Sequence, residues 1–326
     1  MSRGQSMYGR FERYARKNFA QAAAKYLYDA EHVRKIGHPD RLVYSIQNLA
    51  PYIGRKALID IVEAMIRNFK EDRTEGKGAF SKPGSAGTVN KDLRTLRAVL
   101  NYACRVERWI PSVPLIRDIK GPAKVPHPLS LLEKNRVFGA LPEHWRNGAA
   151  KFALHTGVRK SELTSLKWEF MEPFDGKYIF ILPEWLTKNG RSRAVICNSK
   201  ATEAINYMRK WQADQPNELV FPSRRTGGQL KNVLGTWRIA WREAGMPQGK
   251  GTIKGWNNLR HTYATWLMAA GVADELRDKL MGHHSSDIRY NYSQPALEQL
   301  FEAAELITDE KLIGGVTILK SVSMAN

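Results

Sequence analysis

Thr156-Gly157-Val158-Arg159-Lys160-Ser161-Glu162-Leu163-Thr164-Ser165-Leu166 is the stretch from which the carboxy-terminal half of the chain can be read. Gly157 permits a sharp turn, and Arg159 then opens a helix whose apolar face holds Leu163 and Leu166. Glu162 follows Arg159 by three positions, so the two side chains share a face and the carboxylate can buttress the guanidinium. Taken alone, this is an ordinary salt-bridged helix start. It predicts a helical domain with a charged pair at a helix entrance. Three segments further along also place a charged or titratable group at a turn or a helix end.

The first of these is Leu186-Thr187-Lys188-Asn189-Gly190-Arg191-Ser192-Arg193. Lys177–Leu182 alternates into a strand, Asn189-Gly190 is a strong turn signal, and Arg193–Cys197 supplies the return strand. Lys188 then falls at the tip of a hairpin, with Arg191 beside it. A hairpin lysine is ordinarily exposed charge; beside DNA it could reach into a groove and donate a proton. The second is Trp256-Asn257-Asn258-Leu259-Arg260-His261-Thr262-Tyr263-Ala264-Thr265-Trp266, where Arg260 begins a helix. Leu259, Tyr263, Trp266, Leu267 and Ala270 form its apolar side, so by itself it is a core helix with a basic entry. The third is Leu280-Met281-Gly282-His283-His284, then Arg289-Tyr290-Asn291-Tyr292. Gly282 sits where a glycine closes a helix, which turns His283 toward whatever lies beyond. His283 and His284 have no Cys, Asp or Glu at ligand spacing, so no metal site is expected.

Outside these segments the chain divides by composition. Its 326 residues suit two domains, and a hydrophobic content of 43% is enough for sizeable cores. The net charge is +19, for which a polyanion such as nucleic acid is the natural partner. Residues 1–125 hold 24 Lys and Arg against 12 Asp and Glu, a net +12, so the amino-terminal part is the more basic. Residues 1–111 are expected to form a helical DNA-binding domain. Its clearest helix, Thr88–Val106, sets Val89, Leu93, Leu96, Leu100 and Ala103 on one face. Lys91, Arg94, Arg97 and Arg105 lie on the other, either as a solvated face or as contacts to DNA. Glu75–Gly87, rich in Gly, Ser and Lys, reads as a loop. Pro111, Pro114, Pro122, Pro126 and Pro128 predict an extended linker over 112–128. A second domain follows over 129–305, with a tail over 306–326. Cys104 and Cys197 are the only cysteines, and neither a signal peptide nor an apolar run long enough to span a membrane is visible. The expectation is a soluble protein of the cytoplasm, reduced and acting without membrane contact.

Together the four segments resemble the catalytic domain of the tyrosine recombinase (phage integrase) family. The resemblance rests on the Thr-Gly-Val-Arg-x-Ser-Glu-Leu box, the Thr-Lys-Asn-Gly hairpin, the Leu-Arg-His-Thr-x-Ala-Thr box, and the Leu-x-Gly-His box with Tyr292 nine residues beyond its His. The boxes occur in the family's order over about residues 129–300, and residues 11–111 match its core-binding domain in character. The resemblance implies a mainly α fold with a small antiparallel sheet, built as a two-domain clamp on duplex DNA. It implies Arg159 and Arg260 as the pair gripping the scissile phosphate, Lys188 as general acid, and His283 as a phosphate or nucleophile partner. Glu162 would support the site, and Tyr292 would attack phosphorus to give a 3′-phosphotyrosyl link. Planar guanidinium forks suit phosphate oxygens independently of the resemblance. The implied partners are two DNA sites, a homotetramer passing through a Holliday junction, and DNA-bending or directionality factors of the bacterial host; no cofactor, metal or ATP is implied.

Tyr290 stands two residues from Tyr292, about 200° round a helix, so both cannot serve; the family's spacing from His283 selects Tyr292. Where the family usually has His, this chain has Asn257, which can hydrogen-bond phosphate but cannot shuttle protons near neutral pH. Two other functions compete: DNA relaxation of the type IB topoisomerase kind, and a DNA-binding protein with weakened catalysis. Beyond Gly314-Gly315 the run Val316-Thr317-Ile318-Leu319 is β-prone, and the resemblance suggests that this tail docks on a neighbouring protomer.

Overall fold

The computed structural model of the protein describes residues 17–122, 125–188, 190–231, 233–249, 252–253, 255–283 and 297–314. The chain divides into two compact units, one ending at Pro122 and the other beginning at Ala123. Among the described residues both are mainly helical, and the second carries a small antiparallel sheet, the fold class expected from sequence.

The first unit contains α1 (Phe19–Tyr28), α2 (Asp40–Ile53), α3 (Glu63–Glu75) and α4 (Ala86–Arg105). Asn18 accepts the Gln21 backbone N–H at 2.9 Å while the Gln21 side chain accepts that of Asn18, a reciprocal cap that stabilises α1 by about 1 kcal/mol. Phe19, Leu49, Phe69, Leu93, Leu96 and Leu100 form the core. The α4 stripe read from sequence is the buried face, and it also carries Asp92. That carboxylate lies 3.3 Å from Arg73 Nε and accepts from Asn48 Nδ2 at 3.2 Å.

The prolines of 112–128 do exclude helix, yet the segment is docked on both sides rather than extended as a free linker. Asn90 accepts the Ile119 N–H at 2.7 Å and donates to its carbonyl at 2.9 Å, and Ile116 is buried in the first unit's core. In the second unit β1 (Val125–Pro126) pairs in parallel with β5 (Thr252–Ile253). His127 N–H donates to Asn258 Oδ1 at 2.9 Å, and Leu129 N–H to Thr262 Oγ1 at 3.0 Å. Side-chain amides and a hydroxyl thus supply the partners that this irregular backbone needs.

The second unit runs through α5 (Leu131–Gly139), α6 (Glu143–Asn147), α7 (Ala149–Thr156) and α8 (Lys160–Thr164) into a sheet. There β2 (Met171–Phe174), β3 (Lys177–Leu182) and β4 (Arg193–Cys197) lie antiparallel in that order. β3 and β4 have the expected bounds, with Leu182 opposite Arg193. β2 was not anticipated: Pro173 argues against a strand, but an edge position tolerates it. The β3–β4 connection is also not the expected tight hairpin. Pro183 ends β3, and Glu184–Leu186 form a 3-10 turn inside a longer loop over 183–192. Gly190 does take the left-handed conformation, φ +64°.

α9 (Ser199–Trp211), α10 (Val233–Glu243), α11 (Trp256–Ala269), α12 (Asp274–Met281), α13 (Leu297–Glu305) and the short α14 (Glu310–Ile313) complete the unit. Its core gathers Phe152, Phe180, Phe221, Trp237, Trp241, Tyr263, Trp266 and Phe301. Ile307 and Ile313 are buried in the same core, so residues 306–314, expected to begin a tail, belong to this unit. Val316–Leu319 lies outside the described residues.

Candidate active site

α7 ends at Gly157, whose φ of +61° is left-handed. A Cβ there would collide with the ring of Tyr263, which is fully buried on α11. The glycine therefore permits both the turn and the close approach of α8's entrance to α11. Arg159 is the N-cap of α8, and its backbone N–H donates to Glu162 Oε2 at 2.9 Å. Its Nη1 donates to Glu162 Oε1 at 2.9 Å, so the pairing expected from their spacing forms. Arg159 Nη2 donates to the Gly282 carbonyl at 3.0 Å.

α12 ends in the motif its glycine predicts. Gly282 has φ +60°, its N–H donates to Lys279 O at 3.1 Å, and the His283 N–H donates to Asp278 O at 2.9 Å. This turn leaves the carbonyls of Met281 and Gly282 facing the arginines. Arg260, in the first turns of α11, donates from Nη1 to Gly157 O and from Nη2 to Met281 O, each at 2.5 Å. Arg159 and Arg260 are thereby held side by side against one turn, although they lie far apart in sequence.

The electrostatics of the cluster are unbalanced. Glu162 is completely buried; burial pushes its carboxyl up, but Arg193 and then Arg159 outweigh that and hold it below the usual carboxylate range. Burial, followed by repulsion from Arg159 and Arg193, pulls Arg260 down to about 9, still a cation at neutral pH. Among the described residues three guanidiniums face one carboxylate, an excess that an oxyanion would relieve. His283 is exposed, with Nδ1 3.3 Å from Asp278 Oδ1. Burial first and Arg260 second draw its pKa below the ordinary histidine value against the pull of Asp278, so it is neutral at pH 7.

Other expected residues stand apart from this cluster. Lys188 is exposed on the 183–192 loop and has no hydrogen-bond or ion-pair partner among the described residues, and Arg191 is exposed beside it. Asn257 is exposed in the first turn of α11, whereas its neighbour Asn258 is buried and clasps both backbone groups of His127. Tyr290, Tyr292 and His284 lie outside the described residues. In the first unit Lys91 is exposed, while Arg94 and Arg97 pair with Asp118 at 3.3 and 3.0 Å. Arg97, more than Arg94, holds that carboxyl below its ordinary range despite some burial. Among the described residues no group of three or more His, Cys, Asp or Glu could hold a metal ion, and no helix is long and apolar enough to cross a membrane.

Arg193, from sequence only the first residue of a return strand, belongs to this cluster. Its Nη2 donates to Glu162 Oε2 at 2.6 Å, and its side chain is 10% exposed. The one available signal was a basic residue opening an otherwise apolar strand.

A mainly helical unit thus carries paired arginines against a glycine-closed turn, a cluster whose chemistry suits an oxyanion. The chain belongs to the phage integrase family, whose model matches residues 134–298. The integrase of Salmonella phage P22 is 26% identical over 243 residues, covering 69% of this chain and 58% of that protein. The chain thus spans little more than half of that relative's length. Tyrosine recombinase XerA of Pyrococcus furiosus is 29% identical over 239 residues, covering 72% of this chain and 79% of XerA. Among solved structures, a lambda integrase dimer bound to a COC′ core site aligns with a TM-score of 0.64 at 19% identity, over 90% of this chain and 81% of that one. A lambda integrase tetramer bound to a Holliday junction aligns equally well, with a TM-score of 0.64 at 17% identity, over 90% and 85% of the two chains.

Proposed function

We propose that the protein is a site-specific DNA recombinase that cuts and rejoins duplex DNA through a 3′-phosphotyrosyl intermediate. The observation that carries this reading is the pairing of Arg159 and Arg260 against the Met281–Gly282 turn, with more positive charge than Glu162 neutralises. In the proposed reaction the Tyr292 hydroxyl oxygen attacks phosphorus as its proton passes to neutral His283 or to water, the bond to the 5′ oxygen breaks, and Lys188 gives that oxygen its proton. Arg159 and Arg260 stabilise the charge gathered on the pentavalent phosphate. Neutral His283 accepts a hydrogen bond from the nucleophile or donates one to phosphate, and Asn257 contributes a phosphate hydrogen bond. The phosphotyrosyl bond conserves the energy of the broken diester, so rejoining needs no ATP, and the arginines supply the positive charge for which a metal would otherwise be required.

By analogy with the lambda integrase tetramer on a Holliday junction, four copies act on two DNA sites. The exposed Lys91 and Arg191, with Arg94 and Arg97, contribute phosphate contacts. Integration and excision of a phage or genomic island in the bacterial cytoplasm, with DNA-bending or directionality proteins, is the setting this fits.

The test is relaxation of supercoiled plasmid in EDTA without ATP, for wild type beside Tyr292→Phe, with SDS-quenched samples scored for protein bound to DNA. Relaxation and adduct in wild type alone are expected. Activity surviving in the Phe variant would move the nucleophile to Tyr290. DNA binding with no adduct from wild type, even on a nicked duplex, would favour the catalytically weakened protein.

A further inference from the structure

We propose that Arg193 is a positioning residue for strand cleavage: locked between Glu162 and the Gly282 turn, it fixes the orientation in which Arg159 meets the scissile phosphate. The proposal rests on the recombinase reading for its chemistry, though not for its geometry.

Both oxygens of Glu162 are in use. Oε1 accepts from Arg159 Nη1, and Oε2 accepts from the Arg159 backbone N–H and from Arg193 Nη2. With Arg193 in place the carboxylate cannot rotate without losing a charge-assisted bond, and the guanidinium of Arg159 stays where that carboxylate holds it. The other side of Arg193 meets the turn. A Cβ on Gly282 would lie 2.5 Å from Arg193 Cδ, so the arginine stem fills the space beneath the residue whose carbonyl accepts from Arg159. Arg193 Nη1 also approaches the Leu280 carbonyl at 3.5 Å. A single side chain thus touches both the anion and the turn that hold Arg159. Because it opens β4, it also anchors the base of the loop carrying Lys188.

Stability alone does not account for this residue. Its Nε is buried with no hydrogen-bond partner, and its charge adds to a cluster already in excess. An apolar side chain of similar length would avoid both costs, at the loss of one bond to Glu162, which keeps Arg159 as its partner. Nor does Arg193 reach phosphate itself, since its side chain is almost wholly enclosed and directed at Glu162 and the turn.

The experiment uses full-length Arg193→Met and Arg193→Lys with two readouts. One is the single-turnover rate of SDS-trapped adduct on supercoiled plasmid, together with plasmid affinity. The other is the order of the Arg159 Nε–H group by NMR of arginine-labelled protein, which needs no cleavage. The Met variant should form adduct at least 30-fold more slowly, with plasmid affinity within 3-fold of wild type and a mobile Arg159 signal. The Lys variant, which keeps the charge but not the fork, should recover thermal stability and little of the rate. A Met variant with an Arg159 signal as ordered as wild type, or with an unchanged rate per folded molecule, overturns the proposal. If wild type forms no adduct on the plasmid, that counts against the recombinase reading, and the NMR readout still decides the role of Arg193.

Discussion

In the first unit Arg73 lies against Asp92, both buried, with Asn48 completing the carboxylate's hydrogen bonds and the Phe80 ring 4.5 Å from the guanidinium carbon. In the second, Arg159, Arg193 and Arg260 gather around a single buried Glu162 and borrow backbone carbonyls for the rest. The first arrangement balances its charge internally and has nothing left for a ligand. The second keeps, among the described residues, more positive charge than its one carboxylate neutralises. Burial of an arginine therefore says little about function until the carboxylates around it are counted.

The largest effect is expected at Arg260. Replacing it with Gln should slow adduct formation on plasmid about 10³-fold, the effect of losing a key charge-stabilising donor, while the melting temperature holds or rises. Equal losses of stability and rate would mean that this cluster, too, is structural. Arg73→Met should do the opposite, removing about 3 kcal/mol from the first unit's unfolding free energy in urea. The adduct rate of the protein that remains folded should match wild type.

His155 is a buried base of another kind, with no hydrogen-bonded carboxylate and an unpartnered Nδ1. Burial, with help from Lys134 and other lysines, pulls its pKa down to about 3, so it stays neutral where an arginine stays charged. The unfolded chain then takes up a proton below about pH 6.5 that the folded chain refuses. Stability should fall through the window from 6.5 toward 3, by about 1.4 kcal/mol per pH unit from this residue. His155→Phe, compared with wild type by urea denaturation at pH 6 and pH 5, should lose that slope.

The smallest effect is expected at Asp118, half-exposed between Arg94 and Arg97. Asp118→Asn should change stability by under about 1 kcal/mol. It should also tighten duplex binding a few-fold at low salt and steepen the salt dependence by about one to two charges, as both arginines become free for phosphate. Unchanged salt dependence would remove Arg94 and Arg97 from the DNA-facing surface.

What could be read from sequence was whatever a residue declares by its own type and local spacing. Gly157, Gly282, the Arg159–Glu162 spacing, and strands Lys177–Leu182 and Arg193–Cys197 all have local signatures, and they are where those signatures place them. The burial of Asp92 has no local signature, because its partner, Arg73, comes from another helix. Beyond its place at the head of an apolar strand, Arg193 carries no local sign of its role for the same reason: Glu162 reaches it only after the sheet has formed. Asn90 and Asn258, the amides that clasp the proline-rich segment, could not be told from any surface asparagine. Pro183 stops β3 before the Asn189-Gly190 signal, and the turn becomes part of a longer loop.

The acceptors at Gly157, Met281 and Gly282 have a consequence for inheritance. A backbone carbonyl comes with every amino acid, so Met281 can drift to Leu or Ile and still offer Arg260 the same oxygen. At the two glycines drift is checked by shape rather than by chemistry, since any side chain would strike Tyr263 or Arg193. The grip on the arginines is thus transmitted largely through the path of the main chain. A lineage could rewrite many of the surrounding letters and keep it.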